Sequence, residues 1–211
     1  MNMWRVGMGV SGARSYTVSR PINDLWLWWT LIHMLSYLLT SISTALFRTG
    51  SITIVTGAIA VIVELWVLGR YLNDFNWQQW VIVSIVGGLL GLLVSIVPFI
   101  FVRVVVGQPA PANSLQAQLT NILVGAITAL IVALAQWRVL TRYVRGYGIG
   151  PWVAANIVSV IMIALSVGIM KGLSDNDYLY IAGNSLAALI GYIIVGFTLM
   201  RILRPYAPGT T

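Results

Sequence analysis

Apolar residues fall into six long runs, at approximately Leu25–Phe47, Ile52–Leu68, Trp77–Val102, Leu115–Trp137, Pro151–Met170 and Tyr178–Met200, with short polar gaps between them. A hydrocarbon layer about 30 Å thick is crossed by about 20 helical residues, and the runs reach or approach that length. In lipid a chain must satisfy its backbone polar groups within itself, so each run is predicted to be a helix. The runs are too long and too weakly alternating for the strands of a membrane barrel.

The gaps carry helix-boundary chemistry. Asp24, Asn76, Asn113 and Asp177 stand where an N-cap would accept orphan backbone N–H groups. Asn76 is followed by Gln79 and Asn113 by Gln116, a loose capping box in each case. Pro151 fits a first helical turn. Trp26, Trp28, Trp29, Trp77, Trp80, Trp152, Tyr178 and Tyr180 cluster at run starts, which predicts an aromatic belt at headgroup level. Short connections force consecutive helices into antiparallel hairpins. The predicted architecture is an all-α integral membrane protein: a basic N-terminal arm (1–24), a bundle of six transmembrane helices as three hairpins (25–204) and a short C-terminal tail (205–211).

Composition agrees. Only 8% of the residues are charged and 59% are hydrophobic, whereas a soluble domain carries roughly 25% charged residues. The net charge of +7 does not point to nucleic acid, because the arginines stand singly beside apolar runs and form no continuous basic face. Their distribution reads as topology. The arm, the second and fourth gaps and the tail hold Arg5, Arg14, Arg20, Arg70, Arg138, Arg142, Arg145, Arg201 and Arg204; the other gaps hold only Arg48, Arg103 and Lys171. Under the positive-inside rule this places both termini in the cytoplasm, with an even number of spans, and suits a bacterial inner membrane. The arm also has the Arg- and Ser-containing, acid-poor character of a transit peptide, but a cytosolic arm explains it without cleavage. Arg138, Arg142 and Arg145 share one gap, where they serve topology or hold anionic lipid headgroups.

A shift of 72 positions lays the second run on the fourth. Thr56 then meets Thr128, Glu64 meets Gln136, Val67 meets Val139, Leu68 meets Leu140, Arg70 meets Arg142, Tyr71 meets Tyr143 and Trp80 meets Trp152. Register survives two helices and a turn, which reads as a parallel internal repeat of hairpins. The segment Gln136-Trp137-Arg138-Val139-Leu140, followed by Arg142 and Trp152, resembles the recurring element of small multi-spanning bacterial membrane proteins of the cyanobacterial and Chloroflexota type, whose Gly-spaced helices end in a Gln-Trp-x-x-Leu-Arg pattern. The resemblance covers roughly the second to fifth runs and implies a repeated-helix membrane fold, with no activity to carry over. The second run departs from it, with Glu64-Leu65-Trp66 in place of Gln-Trp.

Candidate chemistry is sparse. Small residues recur at four-residue spacing, including Gly87, Gly88 and Gly91, Gly125, and Gly183, Ala187 and Gly191; such stripes let helices approach closely, within the bundle or against a partner. Glu64 is the sole acid within a run, and His33, the sole histidine, lies at similar depth from the same end. An ionisable residue inside a membrane is costly and marks a functional candidate. The pair reads either as a proton- or ligand-binding site, or as a snorkelling carboxylate beside a structural histidine, the latter favoured by neutral Gln136 at the repeat-equivalent position. Asn121, Asn156 and Asn184 are expected to form interhelical hydrogen bonds. Asp175-Asn176-Asp177 lacks the later ligands of a calcium loop, and no metal site is expected.

No phosphate-cradling, zinc or serine-nucleophile motif occurs, so an enzyme is not expected and no cofactor is predicted; a chlorophyll or haem on His33 is the minor alternative. The leading expectation is a non-catalytic membrane subunit or scaffold contacting lipids and other integral membrane proteins. The alternatives are a small proton- or ion-coupled transporter or channel using His33 and Glu64, and a pigment- or quinone-binding accessory subunit.

Overall fold

The computed structural model describes residues 18–47, 51–106, 115–144, 147–173 and 177–207. Among these residues the fold is all-helical, with six α-helices: α1 (Leu25–Phe47), α2 (Ser51–Tyr71), α3 (Trp77–Val106), α4 (Leu115–Leu140), α5 (Gly150–Leu173) and α6 (Asp177–Leu203), followed by one 3₁₀ turn, Arg204–Tyr206. Three stretches are long and apolar enough to cross a membrane: Gln118–Leu140, Gly150–Met170 and Ile181–Tyr206. Shorter apolar stretches occur at Leu25–Leu39 in α1 and Trp77–Gly91 in α3.

Helix ends depart from the expected bounds mostly by extension. α2 runs on to Tyr71 and α3 to Val106, because nothing in those flanks breaks a helix; Pro98 lies inside α3. At the start of α3, Asn76 caps as expected, its Oδ1 accepting from the Gln79 backbone N–H at 3.0 Å. Asp24 does not: its carboxylate accepts instead from Tyr71 Oη at 2.8 Å and Trp28 Nε1 at 3.1 Å. That choice ties the entry of α1 to the exit of α2. The expected caps at Asn113 and the Asp175-Asn176 turn lie outside the described residues, as does Arg145.

Among the described residues each helix packs on its neighbours in the chain, and α6 returns to α1. The seam between α2 and α3 is the loosest. The starts of α1, α3 and α5 share one end of the bundle with the ends of α2, α4 and α6: Thr30 Oγ1 donates to the Tyr192 carbonyl, Tyr143 Oη to the Asp74 carbonyl, and the Trp29 and Trp152 rings meet edge-on across the interior at 6.3 Å. Arg20, Arg138, Arg142, Arg201 and Arg204 are exposed at this end, and half-buried Arg70 joins them; it is called the basic end below.

Among the described residues the buried apolar core gathers at the basic end. It comprises Ile22, Leu25, Trp29, Val67, Leu68, Tyr71, Trp80, Trp137, Leu140, Trp152, Leu199, Leu203 and their neighbours. Segments flanking the bundle add to it. The backbone N–H and hydroxyl of Ser19 both donate to the Tyr71 carbonyl, at 2.8 and 3.0 Å, which seats Val18 and Ile22 in the core. Ala207, expected in a free tail, is buried there too. Large apolar side chains elsewhere point outward: Leu27, Leu31, Leu35 and Leu39 make an exposed stripe on α1, and Ile82, Ile85, Leu89, Leu93 and Ile96 one on α3. An exposed apolar surface of this extent suits lipid and not water.

Close helix approach is concentrated on the small residues. At Gly91 a Cβ would stand 2.7 Å from Thr128 Cγ2 and 2.9 Å from Thr128 Cα, so α3 and α4 are in near-backbone contact. Gly87 and Gly191 likewise face backbone atoms of Val132 and Ser159, whereas Gly125 and Gly183 face the side chains of Val160 and Met170. Gly88 faces open space, and Ala187 is half-buried. Gly91→Ala is therefore expected to force α3 from α4 and cost about 1–3 kcal/mol, whereas Gly88→Ala is expected to be neutral or to gain about 0.5–1 kcal/mol from helix propensity. Fluorescence-monitored thermal unfolding in mild detergent distinguishes the two.

Candidate functional site

The two residues singled out for their cost in a membrane meet. His33 Nε2 lies 3.1 Å from Glu64 Oε1, with the histidine side chain 7% exposed and the carboxylate 12% exposed. His33 is eight residues into α1 and Glu64 seven residues before the end of α2. At 1.5 Å per residue both lie roughly 10–12 Å from the basic end, and antiparallel packing brings them level. Glu64 does not snorkel to the surface; its carboxylate is held by three helices. Oε2 accepts from Trp80 Nε1 at 2.8 Å and from Gln136 Nε2 at 3.4 Å, while the same Gln136 nitrogen donates to Ser84 Oγ at 3.1 Å. The α6 side of the site is closed by the Tyr192 ring, 4.9 Å from the His33 ring.

These bonds fix a proton inventory. His33 Nδ1 is 2.8 Å from the Trp29 carbonyl oxygen, which can only accept, so Nδ1 carries a hydrogen. A bond between Nε2 and Glu64 Oε1 then needs one further proton between them. Either imidazolium faces carboxylate, or neutral imidazole accepts from a protonated carboxyl. Both forms are neutral overall, which lowers the cost of burial in low dielectric. Removing the shared proton sets two lone pairs against each other and leaves a net negative charge. As bonded, the pair thus holds one proton between its two residues.

His33 as an axial ligand to haem or chlorophyll would have to surrender the Glu64 bond at Nε2, since Nδ1 is held by its own helix. Trp80, Trp152 and Trp29, expected in the headgroup belt, are instead buried. Their positions at helix starts suit either role; the Glu64 acceptor decides it for Trp80. Trp77 and Tyr178 are exposed, as belt residues are. Asn184 makes the interhelical bond expected of it, accepting from Ser166 Oγ at 2.9 Å. Asn156 instead donates to the Trp152 carbonyl within its own helix, and Asn121 is exposed.

Positions 72 apart share their environments. Val67 and Val139, Leu68 and Leu140, Tyr71 and Tyr143, and Trp80 and Trp152 are all buried, and Glu64 and Gln136 touch each other. The pairs differ in polar partners: Trp80 donates to Glu64, whereas Trp152 Nε1 is buried with no hydrogen-bond partner.

A second cluster lies at the surface of the basic end. The Arg70 guanidinium sits 5.2 Å from the Trp28 ring and 5.6 Å from the Trp66 ring, a cation–π clamp between α1 and α2. Burial opposes ionisation of the nearby Asp24, but hydrogen bonds from Tyr71 and Trp28 and the charge of Arg70 hold its carboxyl below the usual range. Burial first, then the bond to Asp24, pushes the Tyr71 phenol well above its ordinary value. Arg138 and Arg142 are exposed and free to meet headgroups.

Compared with protein-family models, curated proteins and solved structures, the chain matches none.

Proposed function

We propose that this chain is a six-span membrane protein, with both termini on the cytoplasmic side, that moves protons or a proton-coupled ion through the His33–Glu64 site. The observation that carries the reading is the 3.1 Å contact between the chain's sole histidine and the sole acid within its six apolar runs, further held by Trp80 and Gln136. A site contributed by several helices, poised around one proton, is suited to binding and releasing that proton as the bundle shifts. Burial matched across 72 positions supports hairpins of parallel orientation. Glu64 in place of a second glutamine gives that otherwise repeated scaffold its one titratable centre.

The test is flux in liposomes. Reconstituted protein is expected to pass protons, or to couple a pH gradient to sodium or potassium movement, and Glu64→Gln to lower that flux by about tenfold or more while remaining folded. An inert wild type removes the proposal.

A scaffold role is the second reading, favoured by the exposed apolar stripe on α3. Its other support is weaker, since the small-residue stripes that would dock a partner are engaged within the bundle at Gly87, Gly91, Gly125, Gly183 and Gly191. Inert protein that copurifies with larger membrane proteins in mild detergent would favour it.

A further inference from the structure

We infer that the His33–Glu64 pair communicates with the face opposite the basic end, the basic end being sealed in this conformation by an aromatic plug. The inference rests on the proposed proton site and adds its direction of access. On the basic side of the pair, the interior holds large apolar side chains from all six helices: Trp29, Leu68, Trp80, Trp137, Trp152 and Leu199, each at most 7% exposed. The Trp29 and Trp152 rings meet there, and Phe75 packs on both Trp80 and Tyr143. The Val18–Ile22 strap and Ala207 close over this layer.

From the level of the pair onward the lining changes character. Among the described residues, the buried side chains level with the pair or up to about two turns past it are small and mostly polar: Ser84 on α3 and Ser159 on α5 about level with it, and Ser36 on α1 and Asn184, Ser185 and Ala188 on α6 farther along. Gln136 and Ser84 extend the polar contacts of Glu64 at the level of the pair. Hydroxyls and amides can carry a proton or solvate an ion; packed indoles and leucines cannot. Opening toward the basic end requires parting the plug, and the α2–α3 seam, which carries Glu64 on one side and Trp80 on the other, is its loosest joint.

The chain has no cysteine, so single thiols report access without background. Ser36→Cys probes the lining about one turn past the pair and Ser84→Cys the level of the pair itself, Ala155→Cys the plug, and Arg142→Cys, at an exposed position, marks the basic face. Each variant is reconstituted in known orientation and treated from either face with a small, membrane-impermeant, cationic thiosulfonate reagent. Cysteines at 36 and 84 are expected to react at least about tenfold faster from the far face than from the basic face, with 155 protected from both. Reaction at 36 and 84 that is faster from the basic face, or at 155 from that face at a comparable rate, overturns the inference. So does protection of both 36 and 84 from each face in variants that retain the wild-type unfolding temperature. Sided labelling with no flux would leave the access route standing and remove the transport reading; flux with the opposite sidedness would do the reverse.

Discussion

Glu64→Ala is expected to be the most damaging single substitution in the protein. It leaves buried His33 Nε2 without its partner and Trp80 Nε1 without its acceptor, and leaves Gln136 Nε2 with Ser84 Oγ alone. Removing one member of a buried charged pair typically costs about 3–5 kcal/mol, because its partner stays buried and uncompensated. Glu64→Gln keeps the shape and two acceptor lone pairs, so its stability loss is expected to be much smaller even though it abolishes the proton site. The double change His33→Leu with Glu64→Leu removes both charges together and is expected to cost less than the two single changes added. Thermal unfolding of the five variants, the two leucine singles included, in one detergent measures the set. Stability of Glu64→Ala within about 1 kcal/mol of wild type would mean that the pair is solvated and not the buried network described.

The second large effect separates two tryptophans that otherwise look alike. Trp80 and Trp152 are both fully buried and stand 72 positions apart. Trp80→Phe leaves a small void and takes away a charge-assisted bond, which adds about 1.5–3 kcal/mol to the packing loss. Trp152→Phe leaves a similar void but deletes an indole N–H that has no partner. Shedding an unsatisfied buried donor offsets part of the packing loss, so Trp152→Phe is expected to be close to neutral. The difference between the two unfolding free energies, more than either value, isolates the bond to Glu64. Equal costs would show that Trp80 acts through packing alone.

Much of the architecture is legible in the chain because lipid leaves so few options. Six apolar runs become six helices, and their order in sequence becomes their order in space, since short connections allow little else. The meeting of His33 and Glu64 follows from two depths measured from one end. What stayed hidden depends on which side of a helix a residue faces when the hydrophobic pattern is nearly uniform. Trp77 and Trp80 are three residues apart at the same helix start, yet one is exposed and the other fully buried. Composition at a helix start cannot separate an interfacial ring from a core ring, and the 72-position match of Trp80 with Trp152 leaves both in the expected belt. Asp24 shows a different limit. Its position predicts a cap, but Tyr71 and Trp28 offer side-chain donors that only the packing of α1 on α2 reveals.

The claim at the centre of this account is that one exchangeable proton resides between His33 and Glu64 inside the bundle. Infrared difference spectra of the reconstituted protein, recorded while the bathing pH is stepped, read it most directly. A carboxyl or carboxylate band that responds to pH in the wild type and disappears in both Glu64→Gln and His33→Leu is the predicted result. A Glu64 signal indifferent to pH throughout the range in which the protein stays folded, or unchanged by loss of His33, would contradict it.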